Sequence, residues 1–131
     1  MTTKEFFHFN HIMSSDISAT MGTGNLLRSR NDTAENLGYN RASLAIPQQI
    51  HSTNILFVNL SGEFENCDGL FTDNPNIVLS LQTADCIPIF LYDIVTGLRG
   101  LVHAGWRGVI GGIAYNAIEL MVKHQSIVEN I

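Results

Sequence analysis

The chain has 131 residues, 45% of them apolar and 15% charged, with a net charge of −5. That size and composition describe one domain spanning residues 1–131, with enough apolar material for a core, and exclude a disordered tail. The acidic balance gives no electrostatic footprint for nucleic acid, and no basic amphipathic stretch marks a membrane surface.

Met1 to Asn10 carry Lys4 and Glu5 and no long apolar run, so no secretory signal is expected there. Asp85, Asp93, Arg99 and His103 interrupt the most apolar stretches before any reaches membrane-spanning length. A cytoplasmic protein is expected, with Cys67 and Cys86 as thiols or thiolates rather than a disulfide.

In chain order, residues 5–15 predict a strand and turn, and residues 16–31, rich in Ser, Thr, Gly and Asn, a loop broken at Gly22 and Gly24. Asn31 or Asp32 can cap a helix from about Thr33 to Leu44, with Ala34, Leu37, Arg41 and Leu44 at helical spacing and Pro47 as the stop. Residues 54–60 predict a strand, and residues 61–75, with Gly62, Gly69 and Pro75, a loop. Strands are predicted over 76–82, 86–92 and 98–104, the last two joined by a turn from Asp93 to Gly97. Apolar runs of this kind suit a sheet covered on both faces, and Pro88 implies an edge position or a bulge. Gly108 to Lys123 predicts a helix with an apolar stripe of Ile110, Ile113, Ala114, Ala117, Ile118 and Met121. The tail from Gln125 to Ile131 ends without a further strand, and in an α/β domain that helix is expected to lead to one.

Three local signals carry chemistry. Gln48-Gln49-Ile50-His51 stands before a strand, Thr83-Ala84-Asp85-Cys86 between two strands, and Val102-His103-Ala104-Gly105-Trp106-Arg107-Gly108 where a strand meets a helix. In the third, helix N-terminal amides attract anions and the Arg107 guanidinium suits phosphate or carboxylate; a buried histidine beside a surface arginine explains the same residues equally well. In the second, the Cys86 thiolate is a soft ligand that suits zinc, and Asp85 can carry protons or steady a ligand; a buried structural cysteine is the plainer explanation. His51 by itself is weak. Together, two histidines and a cysteine make three ligands and leave a fourth position open, the catalytic zinc arrangement. Their spacings of 35 and 17 residues match no compact zinc motif.

The strings Asp68-Gly69-Leu70-Phe71-Thr72, Thr83-Ala84-Asp85-Cys86-Ile87-Pro88-Ile89 and His103-Ala104-Gly105-Trp106-Arg107-Gly108 before a helix resemble the laccase-domain family, also called YfiH-like and long labelled polyphenol oxidoreductases. Gln49-Ile50-His51 falls where that family has its own Gln-x-His, and the match runs from about 45 to 123; earlier, Asn25-Leu26 and the helix near Arg41 are the counterparts. The resemblance implies an α+β (mixed α/β) fold, with a mixed β-sheet core flanked by helices. It implies zinc held by His51, Cys86 and His103, and action on purine nucleosides: phosphorolysis of adenosine or methylthioadenosine, or deamination of adenosine. Arg107 would then hold phosphate and Asp85 handle the proton, with purine nucleoside and phosphate as partners. Family members are about twice this length, so the chain is expected to be the N-terminal half of that fold, and an open sheet edge would favour a homodimer.

Other readings use the same residues. A copper polyphenol oxidase of the multicopper type needs many imidazoles, often as His-x-His pairs, and five histidines without such a pair argue for zinc over copper. A cysteine hydrolase would use Cys86 as nucleophile and His103 as base. A peptidoglycan-precursor editing factor would share the site and differ in substrate. An inactive fragment would bind metal without turnover.

Overall fold

The structure, a computed structural model, describes residues 6–8, 17–22 and 30–131. Contacts divide the chain into two units, Met1–Arg41 and Ala42–Ile131.

In the first unit, strand β1 (Phe6–His8) pairs antiparallel with β2 (Thr20–Gly22). The expected strand thus appears at Phe6–His8, with residues 5 and 9–15 of that prediction outside the described residues. The expected loop over 16–31 contains β2, and its residues 16 and 23–29 lie outside the described residues. Helix α1 (Arg30–Asn36) starts earlier and ends sooner than its pattern predicts. Asn31 and Asp32 lie inside its first turn, where Asp32 suits the positive end of the helix. The stop is Gly38, not Pro47. At φ +84 it closes a paired cap in which the Gly38 amide donates to the Glu35 carbonyl and the Tyr39 amide to the Ala34 carbonyl. Arg41 and Leu44 therefore leave the helix: Arg41–Ser43 is a 3₁₀ turn and Leu44 opens a strand.

The second unit holds two sheets. The first is parallel, in the order β5 (Gly62–Phe64), β3 (Leu44–Pro47), β7 (Val78–Leu79). The second is mixed, in the order β4 (Ile55–Phe57), β6 (Gly69–Thr72), β9 (Arg99–Ala104), β8 (Ile87–Tyr92). The stretch 61–75 is thus not a loop: its glycines belong to two strands, and β6 is buried along its whole length. Alternation along β6 explains the layering. Phe71 packs with Val102, Ile113, Ala117 and Met121, on the helical side of the mixed sheet. Leu70 packs with Ala45, Val58, Cys67 and Ile77, on the side of the parallel sheet. The mixed sheet is covered on both faces, as its apolar strands require. At the centre a Cβ on Gly100 would lie 2.1 Å from the fully buried Phe71 ring, so only glycine lets β9 run beneath it.

β8 pairs on one side only, with β9, which is the edge position that Pro88 predicts. The helix expected over 108–123 is two, α2 (Trp106–Gly111) and α3 (Ile113–Lys123), parted by Gly112 at φ +85. The break turns Ile110 and Ala114 outward and leaves Ile113, Ala117 and Met121 as the buried stripe. No helix among the described residues is long and apolar enough to cross a membrane.

The β8–β9 turn hangs on Asp93. Its buried carboxylate accepts from the Val95 amide at 2.7 Å and the Thr96 amide at 3.0 Å, and Gly97 at φ +76 completes the turn. Burial alone would raise the pKa of Asp93. The Ser126 hydroxyl, the two amides and the Thr96 hydroxyl outweigh burial and hold it below its ordinary 3.8. Ser126 acts without ordinary hydrogen-bond geometry, which leaves Asp93 Oδ2 and Ser126 Oγ each without a formal partner. A lowered native pKa contributes stability that is present above the ordinary value and lost as the pH falls through the native one. Urea midpoints should therefore drop in the window just below pH 3.8, and Asp93→Asn, which keeps an acceptor but loses the charge, should flatten that drop. An unchanged acid limb in the variant would remove Asp93 from this account.

Candidate metal centre

Three separated segments meet at one end of the mixed sheet. His103 is the next-to-last residue of β9 and is buried. Cys86 is half-buried in the bend that enters β8, and the pairing of Ile87 with Ala104 brings it beside the end of β9. His51 lies in the segment after β3, with its backbone at φ +61. The Cys86 Sγ and one ring nitrogen from each histidine lie within 4.8 Å of one another, and the two imidazoles meet edge to face at 5.1 Å. Zinc at ~2.0–2.3 Å from each donor needs them roughly 3.5 Å apart, within reach of small side-chain rotations.

Two devices hold the Cys86 and His51 segments. The Gln49 side chain joins the segments that follow β3 and β7 like a backbone unit: its Nε2 donates to the Gln82 carbonyl at 2.6 Å and its Oε1 accepts from the Gln82 amide at 3.1 Å. This pins the segment leading to Cys86 beside the one carrying His51. The second device is a row of glycines. A Cβ on Gly105 would meet His51 Cδ2 at 2.9 Å and Cys86 Sγ at 3.3 Å, one on Gly108 the Ser52 carbonyl at 3.2 Å, and one on Gly111 the Thr53 methyl at 2.6 Å. At three-residue spacing these glycines make one bare face of α2, which lets its backbone lie against residues 51–53. Gly105→Ala should push the imidazole and thiol apart and lower metal affinity by about tenfold or more, the scale seen when supports of ligands are disturbed. Isothermal titration with zinc checks this, and parent-like affinity would contradict it.

The residue that sequence reasoning missed as part of the site is Asp68. It is fully buried just before β6. Its Oδ1 accepts from the His51 amide at 2.9 Å and pairs with His103 Nδ1 at 2.9 Å. Its Oδ2 accepts from the Ser52 hydroxyl at 2.6 Å, the Ser52 amide at 2.7 Å and the Ile50 amide at 3.3 Å. Burial alone would raise its pKa; the Ser52 hydroxyl, His103, and the Ser52 and Ile50 amides outweigh burial and hold it below 3.8. An ionised carboxylate only accepts, so the His103 Nδ1–H donates to it, and Nε2 is the ring nitrogen left for a metal. The left-handed backbone of His51 costs about 1–2 kcal/mol, and the converging amides offset it. The signal was legible in principle: an aspartate directly before the apolar run Gly69-Leu70-Phe71. Reading 61–75 as a loop hid it.

The remaining predicted site residues stand at the rim. Asp85 is exposed beside Cys86; the carboxylate within hydrogen-bond distance of the His51 amide and His103 Nδ1 is that of Asp68. Arg107 is exposed on α2, its guanidinium 5.3 Å from the centroid of the exposed Trp106 ring. Since α2 has six residues, its dipole adds little for an anion. Cys67 lies apart from the trio, fully buried, its thiol hydrogen-bonded to the Phe64 carbonyl; burial and then the Asp68 charge push its pKa up. Both cysteines are free.

This arrangement can be set beside known proteins. The model of a family described as multi-copper polyphenol oxidoreductase laccase matches residues 15–131. A protein named adenosine deaminase RL5, from an unknown prokaryotic organism, is 33% identical over 116 residues, which cover 81% of this chain and 44% of that one. A purine nucleoside phosphorylase of Deinococcus radiodurans is 33% identical over 118 residues, covering 82% of this chain and 46% of its own. The crystal structure of YlmD from Geobacillus stearothermophilus superposes with a TM-score of 0.69 at 31% identity, covering 79% of this chain and 44% of that one. The chain thus spans about half the length of the curated relatives it matches.

Proposed function

The chain belongs to the multi-copper polyphenol oxidoreductase laccase family, and from that premise we propose that it is a zinc-dependent purine nucleoside enzyme, acting by phosphorolysis or deamination of adenosine. The observation that carries the reading is the convergence of His51, Cys86 and His103, with His103 Nδ1 within hydrogen-bond distance of the Asp68 carboxylate. Two imidazoles and a thiolate suit zinc, and three protein ligands are the catalytic rather than the structural number. Among the described residues this is the one such group, whereas a multicopper centre needs several. The names of the relatives, a phosphorylase and a deaminase, support the purine nucleoside as substrate class.

When bound, the ion supplies Lewis-acid polarisation and lowers the pKa of water. The chain's own groups do the rest. His51, Cys86 and His103 would hold the ion. In phosphorolysis a phosphate oxygen attacks C1′ of the sugar, the bond from C1′ to the base nitrogen breaks, and the base leaves with a proton. Arg107, on the exposed face of α2, holds the phosphate through a charge-assisted fork. Asp85, exposed beside Cys86, carries the proton. In deamination water adds at C6 of the purine and ammonia departs, and Asp85 serves the same purpose.

A cysteine hydrolase is the second reading, because Asp68, His103 and Cys86 follow one another as orienter, base and nucleophile. Cys86 makes no hydrogen bond to His103, which leaves its sulfur free for a cation. Elemental analysis of the purified chain, followed by an adenosine-plus-phosphate assay on the same sample, separates the two. Stoichiometric zinc with phosphate-dependent release of adenine, or zinc with ammonia, supports the proposal. Metal-free protein that is alkylated at Cys86 and loses a hydrolytic activity supports the alternative.

A further inference from the structure

Among the described residues Asp68 is the side chain that reaches both histidine-bearing segments. It does so through every acceptor it has. Oδ1 is shared by the His51 amide and His103 Nδ1, while Oδ2 gathers the Ile50 and Ser52 amides and the Ser52 hydroxyl. Its backbone joins the same knot: the Asp68 carbonyl accepts from the His103 amide at 2.6 Å, and the Asp68 amide donates to the Asn54 carbonyl at 2.9 Å. We infer that Asp68 is a positioning residue that sets both histidines for a metal ion before any ion arrives, an inference that rests on the metal reading of the site. One oxygen fixes which nitrogen of His103 is free, and the same carboxylate gathers successive amides around the left-handed His51 so that its ring stays turned toward Cys86.

Asparagine cannot do this work. With its carbonyl toward His103, its NH₂ group faces the Ile50 and Ser52 amides and repels them. With the amide reversed, the NH₂ group faces His103 Nδ1, which must then accept, so the proton moves to Nε2 and blocks the metal. A residue that merely filled space would show neither effect.

The test has two arms. In the metal-free parent chain, ¹⁵N NMR of the histidine rings, recorded across pH and read where the His103 ring is neutral, should show it protonated at Nδ1 and bare at Nε2. Predominance of the Nε2–H form overturns the inference without any variant. In the second arm, cobalt(II) is titrated into the parent, Asp68→Asn and Ser52→Ala, with the sulfur-to-cobalt absorption as readout. Asp68→Asn should bind about 10- to 100-fold more weakly and show an altered His103 tautomer. Ser52→Ala, which removes one donor and leaves the Oδ1 pair intact, should keep the parent tautomer. Parent-like affinity in Asp68→Asn overturns the inference. If Asp68→Asn does not fold, the tautomer of the parent and of Ser52→Ala decides. Failure of the metal reading itself looks different: cobalt then gives no sulfur absorption in the parent.

Discussion

Cys86→Ala is expected to take metal content from about one ion per chain to none, and nucleoside cleavage with it, while the fold persists. Two ligands from one protein rarely hold zinc against competing water, and the thiolate is the softest donor of the three. Cys86 is the cleanest of the three to remove. It is half-buried in a bend at the start of an edge strand, outside both apolar clusters, so its loss opens no core cavity. His103 is buried against the Asp68 carboxylate, and its removal would leave that charge buried with one partner fewer, so His103→Ala mixes lost metal with lost stability. His51 is exposed but sits at φ +61, where alanine is strained. Elemental analysis beside thermal unfolding reads both quantities. Full zinc content in Cys86→Ala, at a parent-like unfolding temperature, would sink the ligand set.

Arg107→Ala should lower phosphate-dependent cleavage of adenosine by about 10- to 100-fold, because one hydrogen bond to a charged group is worth about 1.5–3 kcal/mol. Zinc content should stay at the parent level. The residue is exposed on α2, with its guanidinium by the Trp106 ring. The loss should appear mainly as a raised KM for phosphate, and guanidinium ion added to the assay should restore part of it. Equal rates for variant and parent would take Arg107 out of phosphate binding. A parallel fall in zinc content would make it a structural residue instead.

Much of this was legible in the amino-acid order, and the parts that were not have a common cause. Segments whose local pattern matches their environment were read correctly: β8 and β9 as apolar runs, the turn at Asp93 to Gly97, and the edge position implied by Pro88. Glycine misled where tertiary contact overrides its usual meaning. Gly62 and Gly69 look like loop punctuation but open strands, and Gly69 is there because Val102 and Ile55 crowd the position a side chain would take. Gly112 breaks a helical pattern that periodicity carried straight through. Leu44 fits a helical stripe as well as the start of a short buried strand, and residues alone do not choose between them. The three donors stood out because chemistry singles out His and Cys. Asp68 did not, because its importance lies in partners 16 to 35 residues away, whose approach is a property of the folded sheet.

The two thiols differ in what they offer a reagent. Cys67 is sealed beneath β6, hydrogen-bonded and kept protonated, whereas Cys86 is half open to solvent among the two imidazoles. An alkylating probe applied to the native protein therefore labels a single position, and that position is the one an ion would shield. With the ion bound as proposed, the extent of that labelling would report occupancy, with Cys67, revealed on denaturation, as the internal standard.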